Sequence, residues 1–150
     1  MNLPDAAATA AAGERLAAAV QGGDAIALVG ELGAGKTTLV AGLVAALGGA
    51  GAHSPTFALV HTYATGRLVV WHVDLYRIVR AAELAELGLD ELVGDPRGIA
   101  IVEWADRFAV MPADHVRIEL HHAGAARELT ATGTGPRGRA LAEAVLELAP

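Results

Sequence analysis

The sequence predicts an α/β fold built on a mixed sheet, partly parallel and partly antiparallel, that is flanked by helices. Three observations point to this class. An apolar run over residues 25–29 leads through a glycine-rich turn into a helical run, the arrangement of a parallel strand and its following helix. Two pairs of alternating segments read as antiparallel hairpins. Helical patterns also open and close the chain.

The first third of the chain is predicted to contain two helices around the first strand. The first helix covers residues 5–20, with Asp5 as its N-cap and Gly22-Gly23 as its stop signal. The strand described above follows it. The second helix, residues 38–47, begins just after the glycine-rich turn and ends at Gly48-Gly49. Two glycine pairs therefore mark off one strand–turn–helix unit.

The rest of the chain is predicted to contain five strands and two helices. The strands come from runs that alternate or are continuously apolar, and they cover residues 58–63, 68–74, 98–103, 115–121 and 128–132. Short turns containing Gly66 and Gly124 join the first pair and the last pair into antiparallel hairpins. Helices are predicted over residues 81–87 and 138–148.

Length and composition narrow the class of protein. A chain of 150 residues fits one domain, so residues 1–150 are predicted to form a single domain. The stretch over residues 37–52, which contains neither charged residues nor histidine, is too short and too rich in glycine to span a bilayer, and no signal peptide is evident. The absence of cysteine excludes disulfides and thiol chemistry and fits a cytoplasmic protein. A net charge of −6 makes the isolated chain a poor binder of nucleic acid.

The glycine-rich turn, Gly30-Glu31-Leu32-Gly33-Ala34-Gly35-Lys36-Thr37, fits the pattern G-x-x-x-x-G-K-[ST] of a phosphate-binding loop. Gly33 and Gly35 let the backbone curl so that its N–H groups point at phosphate oxygens, aided by the N-terminus of the next helix. Lys36, which we expect in an empty or solvated cradle, can reach the β- and γ-phosphates, and the Thr37 hydroxyl can ligate Mg²⁺. This predicts a P-loop NTPase-like fold. A glycine-rich turn with a chance lysine is the weaker reading of this context.

Two carboxylates at predicted strand ends could complete a nucleotide site. Asp74 ends one strand and Glu103 ends another, and open α/β sheets bind their ligands at such ends. Either could hold Mg²⁺, directly or through water, and the other could orient the attacking water. The alternatives are that Asp74 caps a following helix and that Glu103 faces solvent. Thr56, after Ser54-Pro55, resembles a switch residue that senses the γ-phosphate, although an ordinary turn is also compatible with the pattern.

Two further residues lie beside these carboxylates in the sequence. His72 shares a strand face with Asp74, and a packed core histidine is favoured over a base or a metal ligand. Trp104 follows Glu103 and should face the opposite side, which favours a role in core or interface packing.

Four segments together resemble one family. These are Gly30 to Thr38, Ser54-Pro55-Thr56-Phe57, His72-Val73-Asp74-Leu75-Tyr76-Arg77 and Val102-Glu103-Trp104, and their order and spacing resemble the bacterial TsaE (YjeE) family. That family is the small ATPase of the machinery that makes threonylcarbamoyladenosine in tRNA. The resemblance is strong over residues 23–104 and weak through the tail. The loop alone is shared by many families, whereas the histidine–aspartate block and the glutamate–tryptophan pair are specific.

The resemblance implies slow Mg²⁺-dependent ATP hydrolysis and docking on the partner proteins TsaD and TsaB, with tRNA reached only through that complex. It implies catalytic roles for Lys36, Asp74 and Thr56 and metal ligation by Thr37 and Glu103. The implied nucleotide contacts are Gly33, Ala34, Gly35, Lys36, Thr37, Thr38 and, in the tail, Arg127. A solvated strand-end charge is the alternative for Arg127.

Two other functions compete with this reading. Many short P-loop proteins are small-molecule kinases, but these usually carry arginines in a mobile lid, and the arginines between residues 77 and 107 are scattered. A nucleotide-dependent binding module, whose hydrolysis is incidental, is the other. Following nucleotide loss with and without the partner proteins separates the kinase from the function that the resemblance implies. For the binding module, the discriminating observation is whether a non-hydrolysable ATP analogue supports one round of modification but blocks repeated rounds.

Overall fold

The computed structural model describes residues 1–49 and 59–147 of the chain. These residues form seven strands and five helices, with a short 3₁₀ turn at Ala105–Arg107. Their bounds, in chain order, are β1 (Asn2–Leu3), α1 (Ala6–Ala19), β2 (Ala25–Gly30), α2 (Lys36–Ala46), β3 (Val60–Ala64), β4 (Val69–Asp74), α3 (Ala82–Leu87), α4 (Leu89–Leu92), β5 (Gly98–Glu103), β6 (His115–Ala123), β7 (Ala126–Thr134) and α5 (Gly135–Leu146).

All seven strands form one mixed sheet, in the order β1-β7-β6-β2-β5-β4-β3. The four central strands, β6, β2, β5 and β4, run parallel to one another, and both outer parts of the sheet are antiparallel hairpins. The predicted mixed α/β sheet and both predicted hairpins are therefore confirmed. Because the central strands are parallel, the carboxyl ends of β2, β4 and β5 meet at one edge of the sheet.

The sheet is buried on both faces. On one face, helices α1, α2 and α5 pack their leucines and valines over the central strands, where side chains such as Leu28, Ile101 and Ile118 are almost fully buried. A smaller cluster on the other face includes Val73, Leu75 and Leu89. Burial on both faces explains why β2 and β5 read as continuous apolar runs rather than as alternating ones.

Helices α1 and α2 approach each other closely through two glycines. A Cβ atom on Gly13 would lie 2.1 Å from the carbonyl oxygen of Leu39, and one on Gly42 would lie 2.2 Å from that of Ala10. Only glycine permits this backbone contact. The contact holds α1 against the helix that follows the loop, while Asp5 caps α1 by accepting a hydrogen bond from the N–H of Ala8 at 2.8 Å, as predicted.

The last helix begins earlier than the sequence predicted. It starts at Gly135 rather than at residue 138, and the distant side chain of Asp114 accepts from the N–H groups of Arg137 and Gly138 at 3.2 and 2.7 Å. These contacts hold the pKa of Asp114 below its usual range. No helix in residues 1–49 or 59–147 is long and apolar enough to cross a membrane.

Candidate functional site

The glycine-rich loop joins β2 to α2 at the edge where the parallel strands end. Gly33 and Gly35 have φ angles of +77° and +105°, the left-handed region that favours glycine. Gly35 is also the N-cap of α2, and no side chain in the described part of the chain caps this helix. The first-turn N–H groups of α2 are consequently available for an anion.

A cavity of ≈ 510 Å³ opens beside this loop. It is lined by loop residues, by the two strand-end carboxylates and by two aromatic rings: Leu32, Gly33, Gly35, Lys36, Thr37, Thr38, Asp74, Tyr76, Glu103 and Trp104. The strand register explains why the carboxylates meet, because Asp74 of β4 lies directly beside Glu103 of β5. Lys36, Thr37, Asp74 and Glu103, which the sequence assigned to one site, thus line one cavity.

Lys36 lies in a different setting from the one expected. Its side chain is 7% exposed rather than in a solvated cradle. The ammonium donates to the carbonyl oxygen of Gly30 at 2.6 Å and lies 3.7 Å from Oε1 of Glu103. It also lies 4.5 Å from the centroid of the Trp104 ring, in cation–π geometry. Binding of a phosphate by this ammonium must therefore compete with contacts inside the protein.

Glu103 is buried between Lys36 and His72. Its Oε2 lies 2.6 Å from Nε2 of His72, whose side chain is fully buried. The sequence favoured a packed core histidine at this position, and His72 is indeed buried, but it also contacts the site's carboxylate. The alternative of a solvent-facing Glu103 is wrong, because the residue is only 4% exposed.

Burial raises the pKa of Asp74 above its usual range, and the neighbouring Glu103 raises it further. The backbone N–H of Tyr76, which donates to Oδ1 of Asp74 at 2.8 Å, opposes this shift, as do the charges of Lys36 and His72. Asp74 thus closes a tight turn after β4 rather than capping a helix, since the next helix begins eight residues later at Ala82. A raised pKa makes this carboxylate a stronger proton acceptor than an ordinary aspartate.

The sequence pattern did not place two aromatic side chains of the cavity, Trp104 and Tyr76, at this site. Trp104 has φ +59° and ψ +33°, so the extended alternation stops after Glu103 and the ring lies on the cavity instead of facing the opposite side. The Tyr76 ring lies 5.1 Å from that of Trp104, and Tyr76 remains 54% exposed. A left-handed residue after a strand leaves no signal in a hydrophobic pattern.

Arg127 reaches the loop from strand β7. Its Nη2 donates to the carbonyl oxygen of Gly33 at 3.2 Å, and its side chain lines a second cavity of ≈ 160 Å³. Gly33, Gly35 and Thr38 line both cavities, so the loop lies between them.

Comparison with known proteins identifies the family. The family model described as threonylcarbamoyl adenosine biosynthesis protein TsaE matches residues 3–129. The chain belongs to the TsaE family. It is 38% identical over 138 residues to the "tRNA threonylcarbamoyladenosine biosynthesis protein TsaE" of Bacillus subtilis, covering 90% of this chain and 85% of that protein. The protein of the same name from Streptomyces coelicolor is 38% identical over 135 residues, with 83% and 90% covered.

A solved structure agrees with this assignment. The crystal structure of Bacillus subtilis YdiB superposes with a TM-score of 0.79 at 32% identity, covering 97% of this chain and 91% of that one. The matched length covers nearly all of this TsaE-family chain. The resemblance found in the sequence is therefore confirmed at the level of family and fold.

The residues of this TsaE-family site suit Mg²⁺ held together with a phosphate. Thr37, Asp74 and Glu103 present oxygen atoms, the ligands that Mg²⁺ prefers. Within residues 1–49 and 59–147 no group of three or more His, Cys, Asp or Glu could hold a metal ion by itself. Magnesium usually keeps several waters and binds substrate phosphates, so it does not need such a group. Thr56, the predicted switch residue, lies outside the described residues.

Proposed function

We propose that this protein is an ATP-hydrolysing accessory subunit required for the formation of threonylcarbamoyladenosine in tRNA. In this proposal it docks on the TsaB–TsaD complex in a nucleotide-dependent manner and resets that complex between turnovers. The observation that carries the proposal is the convergence of Lys36, Thr37, Asp74 and Glu103 on one cavity beside a phosphate-binding loop. Family membership supplies the tRNA modification, since the relatives named above are tRNA threonylcarbamoyladenosine biosynthesis proteins.

The loop residues are proposed to bind and neutralise the phosphates of ATP. The backbone from Gly33 to Thr38 supplies N–H donors, and Lys36 exchanges its contact with the Gly30 carbonyl for the β- and γ-phosphate oxygens. Thr37 and Glu103 would hold Mg²⁺, which neutralises charge on the phosphates when it is bound. Apart from Ala34, each of these residues already lines the cavity, so none of them has to be brought in from another part of the chain.

Asp74 is proposed to orient and deprotonate the attacking water. Burial and the nearby Glu103 raise its pKa, which improves its capacity to accept a proton. The hydrogen bond from the Tyr76 N–H occupies Oδ1 of Asp74 and fixes the direction of the carboxylate.

Arg127 is proposed to contact the nucleotide on the opposite side of the loop. The second cavity shares Gly33, Gly35 and Thr38 with the first, so a nucleotide whose phosphates bind the loop can extend into it. Its other lining residues include Asp5 and Thr9 of the N-terminal segment. This arrangement supports ATP contacts from both ends of the chain.

Docking on a protein partner is supported by exposed apolar side chains near the cavity. Leu32 of the loop is 90% exposed and Tyr76 is 54% exposed, and both line the cavity. Val79, three residues after Tyr76, is 77% exposed. Leu32 and Tyr76 lie where a bound nucleotide can contact them, and tyrosine is one of the residue types enriched in interface cores. The net charge of −6 favours a protein partner over direct contact with tRNA.

The test is a pull-down of purified TsaB–TsaD with this protein in ATP, in ADP and without nucleotide, combined with assays of phosphate release. We expect binding that changes with nucleotide and ATP hydrolysis that requires Mg²⁺. A Lys36→Met variant is the matched control, because it keeps most of the side-chain volume and loses the charge. Equal binding in all three nucleotide states would reject the docking proposal. Transfer of phosphate to an added small molecule, without release to water, would indicate a kinase instead.

A further inference from the structure

We propose that His72 is a positioning residue that gives the two carboxylate oxygens of Glu103 different roles. Its Nε2–H group donates to Oε2 of Glu103 and leaves Oε1 for the Mg²⁺ side of the cavity. This inference rests on the proposed function, because it concerns how that site presents its metal-side carboxylate. It assigns a purpose to a buried polar side chain that nothing else in the site explains.

The strand register brings these two residues together. Strands β4 and β5 are parallel neighbours, with His72 beside Ile101 and Asp74 beside Glu103. His72 and Asp74 point to the same face because they are two residues apart. The Glu103 side chain extends from its position beside Asp74 towards His72, and its Oε2 comes within 2.6 Å of His72 Nε2. Both side chains are buried, so water does not compete for this hydrogen bond.

The other ring nitrogen of His72 indicates that packing alone does not explain this residue. Nδ1 is buried and has no hydrogen-bond partner within residues 1–49 and 59–147. A leucine or phenylalanine would fill the space without leaving a polar atom unpartnered in the core. The one hydrogen bond recorded for the ring is therefore the feature that requires a histidine. Since a carboxylate only accepts, the proton of that bond is on Nε2.

The two oxygens of Glu103 consequently face different groups. Oε2 points inward to His72, and Oε1 lies 3.7 Å from the Lys36 ammonium, on the side of the phosphate-binding loop. Without the donor at Oε2, the carboxylate is free to rotate and engage Lys36 through either oxygen. Hydrogen-bond partners of metal ligands fix ligand orientation, and their removal typically costs about 10–100-fold in metal affinity.

The test uses three substitutions at His72 and measures Mg²⁺ binding directly. The amide nitrogen of glutamine can occupy the position of Nε2, whereas that of asparagine corresponds to Nδ1, and leucine has no donor. Mg²⁺ is titrated calorimetrically into protein saturated with a non-hydrolysable ATP analogue, and binding of the analogue is also measured in EDTA. The exposed His121→Gln serves as a matched control away from the cavity.

We expect His72→Leu and His72→Asn to weaken Mg²⁺ binding about tenfold or more, with His72→Gln within about threefold of wild type. Nucleotide binding in EDTA should be equal in all variants. Equal Mg²⁺ affinity in the glutamine and asparagine variants would overturn the inference, and this comparison stands even if His72→Leu does not fold. If wild type itself shows no Mg²⁺-dependent nucleotide binding, the proposed function fails too. If wild type shows it and the variants are unchanged, only the inference about His72 fails.

Discussion

Replacing Lys36 by methionine tests the phosphate-binding loop most directly. Methionine keeps an unbranched side chain, but it removes the ammonium that donates to Gly30, faces Glu103 and lies 4.5 Å from the centroid of the Trp104 ring. Lys36 is the chain's single lysine, so no other lysine can replace it. The substitution therefore isolates the charge.

The contacts of Lys36 determine the size of the expected loss. Each charge-assisted hydrogen bond contributes about 1.5–3 kcal/mol. In the complex with ATP, Lys36 would gain contacts to two phosphates and give up its 2.6 Å bond to the Gly30 carbonyl, so we expect a net loss equal to one such bond. That corresponds to about 10–150-fold weaker ATP binding. Stability should also fall by about 1–3 kcal/mol, because a buried acceptor loses its donor.

Isothermal titration with ATP and Mg²⁺ measures the first effect, and urea denaturation of the nucleotide-free protein measures the second. Hydrolysis is followed as phosphate release and should disappear. The decisive comparison is between variants that are folded by circular dichroism under the assay conditions. ATP affinity within twofold of wild type in a folded Lys36→Met protein would refute the assignment of this loop as the nucleotide site.

Three further predictions follow from single positions. Asp74→Asn should abolish hydrolysis yet raise the thermal midpoint at pH 7. The pKa of Asp74 is raised in the folded protein, so its ionisation lowers the stability of the fold as pH rises from 3.8 through the native pKa, and asparagine removes this loss. An unchanged thermal midpoint at pH 7 would contradict the raised pKa. Gly13→Ala should cost about 1–3 kcal/mol in urea denaturation, since its Cβ would meet the Leu39 carbonyl at 2.1 Å. Gly66→Ala should change little, because its Cβ would lie 3.7 Å from the Leu47 carbonyl oxygen, an ordinary contact distance. Arg127→Ala should weaken ATP binding about tenfold without changing Mg²⁺ dependence, and an unchanged affinity would return this arginine to a structural role.

Local sequence patterns predicted most of the fold because most of its elements are locally specified. The strand β5 was predicted with its observed bounds, Gly98–Glu103, since a continuous apolar run ended by a carboxylate is recognisable without tertiary contacts. The two hairpins were marked by turn glycines. By contrast, the start of α5 depends on Asp114, which lies more than twenty residues away, and the strand β1 exists only through pairing with β7.

The candidate site was predicted only in part, for the same reason. Lys36, Thr37, Asp74 and Glu103 could be assigned because motif and strand-end positions are local features. The position of Trp104 depends on one left-handed residue, and the contact between His72 and Glu103 depends on strand register. The spacing of the residues in the sequence predicts neither of these two features. Sequence thus identified the residues of the site better than it identified their contacts.

The two buried carboxylates stand in different electrostatic settings, and this difference separates their proposed roles. Glu103 has the Lys36 ammonium near one oxygen and the His72 ring at the other, and these two contacts fix the orientation of its carboxylate. Asp74 lies beside Glu103 in the same register, and the pKa of Asp74 rises because burial and that neighbouring charge outweigh the opposing contacts. Pairs of acidic groups whose surroundings differ in this way divide ligand and base functions between them. A substitution at Glu103 should therefore be partly rescued by added Mg²⁺, whereas a substitution at Asp74 should not, and the opposite result would exchange the two roles.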